Sequence, residues 1–310
     1  MSLQRLPAEW EPQDAIMLTW PHKNTDWDWI LDDVSELYEA LATVIVDYAD
    51  LVIAVAPDMV DEVRRRLAAM GAPLEYIHLY PVETNDTWAR DHGPLSVATD
   101  TGFKLLDFTF NGWGNKHAHD LDNQISRRLF EQGAFPAASF ESCDLVLEGG
   151  SIEVDGRGTL LTTAQCLLNP NRNPHLDQAE IEARLKAAFG VQKINWLHHG
   201  YLAGDDTDSH IDTLARLCPN RTIVHTACDD PEDEHYAELK LMEEELKTMT
   251  DVDGEPYRLL PLPWPGPVLG DRDHRLPATY ANFLIVNEAV LVPIYDLPSD
   301  EDALEQISHR

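Results

Sequence analysis

The sequence predicts an α/β fold. Short apolar runs of strand length alternate with amphipathic segments of helix length through the whole chain. Strands recur in pairs ahead of nearly every helix, an order that fits neither a helical bundle nor a sandwich. With 310 residues, 44% of them apolar, the chain holds ample material for a core. No Gly/Ser-rich linker or low-complexity tract divides it, and Pro261 to Pro267 is a stiff loop too short to separate domains. A single domain over residues 1–310 is the expectation.

The elements follow in order. Ala15 to Trp20 is an apolar strand, and Asp28 to Tyr48 a long amphipathic helix with Asp26 near its start as a cap. Leu51 to Val55 is a strand, Asp58 to Met70 a helix entered through Pro57-Asp58, and Tyr76 to Tyr80 a strand. Strand Phe103 to Phe108 precedes helix Leu121 to Gln132. Leu145 to Leu147, Ser151 to Val154 and Thr159 to Thr162 are strands ahead of helix Leu176 to Ala188. Lys193 to Leu197 and Thr222 to His225 are strands before helix Glu232 to Thr248. Tyr257 to Leu262, Phe283 to Val286 and Val290 to Pro293 close the set of strands, and Asp300 to Ile307 begins a last helix.

Composition narrows the function. A net charge of -32 disfavours nucleic acid and anionic membrane, which carry like charge, and favours cationic ligands. Most of that charge, as in Asp229 to Glu234, is a solvated surface. Only 7 of the 23 basic residues are lysines, so adaptation to a salty medium is a further cause to weigh. No apolar run is long enough to span a bilayer and Met1 to Arg5 lacks a signal pattern, so the cytoplasm is the default location. Cys143, Cys166, Cys218 and Cys228 are widely spaced, without a C-x-x-C pair, and read as reduced thiols rather than a zinc site or a disulfide framework. Oligomeric state, including a homo-oligomer, is left open.

Three segments carry chemistry. Asn85 to Pro94 sets Asp91 beside Trp88 at a Gly-Pro turn, a pairing suited to a planar cation: a carboxylate accepts two parallel N–H bonds while an indole stacks on the plane. Asp91 paired with Arg90, or capping a turn, is the structural alternative. Glu148 ends an apolar strand before Gly149 and Gly150, which by itself reads as a turn. In Gly200 to Asp212, a strand over Ser209 to Leu214 would place His210 and Asp212 on one face, a base and an anion together. No second histidine at helical spacing and no cysteine partner accompanies His210, so no metal is predicted, and no cofactor.

Six segments in register resemble the agmatine deiminase and Porphyromonas-type peptidylarginine deiminase family. They are Pro7 to Pro12, Thr87 to Pro94, Glu148 to Gly150, Leu167 to Asn173, Asp206 to Asp212 and Tyr280 to Phe283, covering essentially the whole chain. The resemblance implies a pentein fold, an α/β propeller of ββαβ modules around a central site. It implies hydrolysis of a guanidinium to a ureido group and ammonia through a cysteine thiolate, with histidine as acid and then base. By motif position, His210 is that acid and base, Asp91 and Asp212 hold guanidinium nitrogens, and Glu148 orients and charges His210. Trp88, Trp113 and Asn282 fall on the substrate side.

Phe108 to Lys116 looks like the agmatine type and holds no arginine for a substrate carboxylate, so agmatine, converted to N-carbamoylputrescine, is the expected substrate. Lys116 and Arg172 keep peptidylarginine open as the alternative. In the family the nucleophile lies near the C-terminus in a Gly-rich segment ending His-Cys, and here no cysteine follows Cys228. The expectation is therefore an incomplete last module and a chain without turnover, with a non-catalytic guanidinium-binding protein as the rival class.

Overall fold

Parallel strands need a crossover of a dozen residues or more, and the amphipathic helices supply it. The computed structural model describes residues 4–270 and 273–308. They group into two units: Glu11–Gly149 with Val286–Ala289, and the remaining described residues.

In the first unit, strands Ala15–Thr19, Asp50–Val55 and Ile77–Pro81 form a parallel sheet in that order. Helices Leu31–Ile45 and Val60–Ala69 are its crossovers. The central strand is buried along nearly its whole length, as its unbroken apolar run requires. A second sheet pairs Leu95–Thr99 antiparallel with Gly102–Thr109, which runs parallel to Ala138–Val146 after helix Ile125–Glu131. Val52, Ala54, Val82, Ile125 and Leu129 form one apolar cluster of this unit.

The other unit repeats that hairpin–helix–strand order twice. Ile152–Val154 pairs antiparallel with Thr159–Thr163, and helix Gln178–Phe189 leads to the parallel strand Lys193–Leu197. Asp177 and Glu180 close a reciprocal capping box at the start of that helix. Ala215–Cys218 pairs antiparallel with Thr222–Thr226, and helix Tyr236–Leu246 leads to the parallel strand Arg258–Leu262. Leu214, Ile223, Leu239, Met242 and Leu246 pack in one core; Val224, Tyr280, Phe283, Ala303 and Ile307 pack in another, which seats helix Ser299–Ser308. The architecture is mixed α/β with several small sheets.

Most predicted elements are present within a few residues of their expected bounds. Asp26 is not the cap of the first helix: Trp27 and Ile30 hold the N-cap positions, and the Asp26 N–H instead donates to Asp86 Oδ1 at 3.3 Å. Five strands of the described residues went unpredicted: Leu95–Thr99 directly after Pro94, Ala215–Cys218 around a buried arginine, and the two-residue strands Gln4–Arg5, Val268–Leu269 and Arg275–Leu276. Among the described residues no helix is long and apolar enough to cross a membrane.

Candidate active site

In the first unit the turn after Pro81 is built by side chains that bind backbone. Asn85 Oδ1 accepts the N–H groups of Leu121 and Asp122 at 2.7 and 3.2 Å, and Asp122 Oδ1 accepts the Asn85 N–H at 2.6 Å. Burial pushes the Asp122 carboxyl up to about 6, against the backbone N–H groups of Asn85 and Asp86 that favour its anion. This clasp fixes the next residues. Asp86 Oδ2 accepts the Trp88 indole N–H at 3.1 Å, and Trp88 packs edge-on to Trp27 and Trp113, with ring centroids 5.2 and 6.1 Å away.

Asp91 lies in the helical turn Ala89–His92 and is buried, its Oδ2 accepting the Trp113 indole N–H at 3.0 Å. Trp113 reaches it from an unusual backbone. Gly112, Trp113 and Gly114 are all left-handed, and a Cβ on Gly112 would lie 2.4 Å from the His117 carbonyl oxygen, so only glycine fits there. The Asn111 side chain accepts the Gly114 N–H at 2.8 Å and holds the loop. The Asp91 carboxylate is thus aimed by the Trp113 indole N–H, and Trp113 itself packs against Trp88.

Glu148 is fully buried in the same unit. Gly149 after it lies so close to the Ala89–His92 turn that a Cβ there would be 2.0 Å from the Arg90 carbonyl oxygen. The Glu-Gly-Gly turn is therefore a close approach of backbone to backbone as well as a strand end.

In the other unit His210 and Asp212 are both buried. The strand considered over Ser209 to Leu214 is absent: Ile211–Leu214 is one helical turn with His210 at its N-cap, and the strand begins at Ala215. Local hydrogen bonds account for the difference. Asp205 accepts the Thr207 N–H and hydroxyl and the Ser209 N–H, at 3.0, 2.6 and 2.7 Å. Thr207 Oγ1 in turn accepts the His210 N–H at 3.1 Å, and Thr213 Oγ1 donates to the His210 carbonyl at 2.9 Å. Asp208 and Ser209 adopt left-handed conformations that no strand contains. His210 and Asp212 are neighbours on a turn, not alternating residues of one strand face.

Arg172 was open as a partner for a substrate carboxylate, and it has another task. Its buried guanidinium donates to Asp208 Oδ2 at 2.6 Å and to the Thr207 carbonyl at 2.8 Å, bracing the loop ahead of His210. Thr163 Oγ1 donates to the Ser209 carbonyl at 2.7 Å and caps the short helix Ala164–Leu167. Within that helix Cys166 is buried, and its Sγ lies within 4.8 Å of a ring nitrogen of His210. Sequence spacing gave no sign of this proximity.

Asn282 is exposed, between Ala281 and Phe283, whose carbonyls accept from Arg216 at 3.1 and 2.5 Å. Buried Arg216 also bridges Glu153 and Glu9, each at 2.6 Å, and packs over the Phe283 ring. A lone arginine in the apolar strand Ala215–Cys218 was the available signal for this anchor. Among the described residues no disulfide is present. Burial pushes the Cys143 and Cys218 thiols up to about 11 and about 12 and raises that of Cys228, so none of these three is a ready thiolate.

A family model for Porphyromonas-type peptidyl-arginine deiminases matches residues 5–310. The agmatine deiminase of Pseudomonas syringae pv. tomato is 34% identical over 323 residues, covering 97% of this chain and 86% of that one. A solved structure of C. jejuni agmatine deiminase with substrate bound matches with a TM-score of 0.89 at 38% identity, over 99% of this chain and 88% of that one. The agmatine deiminase structure of Enterococcus faecalis matches at 0.86 and 29%, over 99% and 88%.

Proposed function

Because the chain belongs to the Porphyromonas-type peptidyl-arginine deiminase family of hydrolases, we propose that it is built to bind agmatine in the manner of an agmatine deiminase. The observation that carries this reading is Asp91, a buried carboxylate held by the Trp113 indole N–H with Trp88 alongside. A guanidinium carbon is a poor electrophile because resonance spreads its charge, so a site that hydrolyses it must keep the cation protonated and aligned. Carboxylates do both. The reading assigns Asp91 and Asp212 to guanidinium nitrogens, His210 to proton transfer, and Glu148 to orienting and charging His210. Trp88, Trp113 and Asn282 serve the substrate side, and the pentein arrangement of modules goes with it.

In the reaction so read, a thiolate attacks the guanidinium carbon and His210 gives its proton to the departing ammonia. The same imidazole then takes a proton from water, whose oxygen becomes the ureido oxygen as the C–S bond breaks. Engagement of Arg172 by Asp208 supports agmatine, which has no carboxylate, over a peptide substrate. Agmatine is read as held without turnover, because burial raises the Cys143, Cys218 and Cys228 thiols and Cys166, near His210, is itself fully buried.

The test follows ammonia and N-carbamoylputrescine beside binding, with agmatine and an arginyl peptide as ligands. Agmatine bound in preference to the peptide, without ammonia, is the predicted result. Preference for the peptide would overturn the substrate. Sustained ammonia release would overturn the absence of turnover, and its loss in Cys166→Ala would assign the nucleophile to the thiol beside His210.

A further inference from the structure

The loop ahead of His210 is tied at its far end by a second histidine that the reaction does not use. His235 is almost completely buried at the start of helix Tyr236–Leu246, whose Leu239, Met242 and Leu246 are fixed in the core. Its ring stacks on Tyr201, with centroids 5.2 Å apart and planes 15° from parallel, and Trp264 covers it at 4.7 Å. Asp233 Oδ1 lies 2.6 Å from Nδ1, and Asp233 Oδ2 accepts the Trp264 indole N–H at 2.9 Å. Nε2 accepts the backbone N–H of Ala203 at 2.9 Å. An acceptor at Nε2 requires the proton on Nδ1, where Asp233 receives it, so the tautomer is set by these partners.

From Ala203 the bonds continue to the proposed site. The Asp205 N–H donates to the Leu202 carbonyl at 3.2 Å, and Asp205 gathers Thr207 and Ser209. Thr207 Oγ1 receives the His210 N–H. Gly204 leaves no slack on the way, since a Cβ there would lie 2.1 Å from the Arg275 carbonyl oxygen.

We infer that His235 is a positioning residue: through its Nε2 bond to the Ala203 N–H it sets residues 203–212, and with them His210 and Asp212, for the guanidinium ligand. This rests on the functional reading above. The acceptor atom, not the aromatic bulk, carries the role, and two substitutions separate them. His235→Phe keeps a ring between Tyr201 and Trp264 and loses the acceptor. His235→Gln gives up the ring and keeps an oxygen where Nε2 stood.

The experiment combines amide hydrogen exchange over residues 203–210 with calorimetric titration of agmatine. In His235→Phe, exchange across the segment is faster than in the parent, and the agmatine Kd rises by about fivefold, the weight of one buried hydrogen bond. In His235→Gln both return toward the parent values. Parent-like exchange and affinity in His235→Phe would overturn the inference, as would equal damage in both variants, which would assign the role to stacking. Should the parent itself not bind agmatine, the functional reading fails, and the exchange comparison alone still decides whether His235 sets the loop.

Discussion

His92, next to Asp91, carries a pH signature of burial. Its Nε2 lies 3.3 Å from Thr19 Oγ1. Burial lowers the imidazole to about 4, against the pull of the Asp91 carboxylate. The unfolded chain takes up this proton near 6.5 and the folded one only near 4, so the group's contribution to stability is full above 6.5 and is lost as pH falls toward 4. Asp122, raised to about 6, has the opposite sign, costing stability as pH rises from 3.8 through 6. A variant isolates the histidine. Between pH 7 and 4.5 the parent should lose roughly 2 kcal/mol more unfolding free energy than His92→Gln in urea melts; equal losses would contradict the assignment. Arg172 gives a second prediction at this scale. Asp208→Ala strands a buried guanidinium and should cost about 3 kcal/mol of stability, and a change within experimental error in denaturant titration would show that the pair does not brace the loop.

The elements divide into those whose cause is periodic and those whose cause is local. Strand Lys193–Leu197 and the helices at Val60–Ala69 and Tyr236–Leu246 were legible because an apolar stripe must be buried, and its spacing reports the element. The turns Ala89–His92 and Ile211–Leu214 were not. They are fixed by single side chains gripping backbone, such as Thr207 on His210, and four residues are too few to show a period. Hence Asp91, His210 and Asp212 were singled out by residue type and motif, while the strand weighed for the last two gives way to a helical turn. Arg216 and Cys166 escaped notice, and Arg172 was weighed only as a partner for substrate, because their partners are distant in sequence. The core that fixes the helix carrying His235 makes its own prediction. Leu239→Ala removes a fully packed side chain and should cost about 2 to 5 kcal/mol, read from chemical denaturation; a loss below half of that range's lower end would contradict its place in the core.

For the whole molecule, a net charge of -32 is a long-range field added to local contacts. Like charges repel in the folded state and salt screens them, so the melting temperature should rise as ionic strength increases from about 10 mM toward 0.5 M. A flat or falling curve would show that the acidic surface does not strain the fold. The same field draws in cations without distinguishing them, and only an arrangement of carboxylates suited to a planar fork separates a guanidinium from an ammonium. The most direct measurement is therefore calorimetric titration of the 310-residue polypeptide with agmatine and with putrescine, repeated on Asp91→Asn and Asp212→Asn. Saturable agmatine binding should be at least about tenfold tighter than putrescine binding, with that preference lost in either variant. Equal affinity for the two amines, or agmatine binding unchanged by both substitutions, would contradict it.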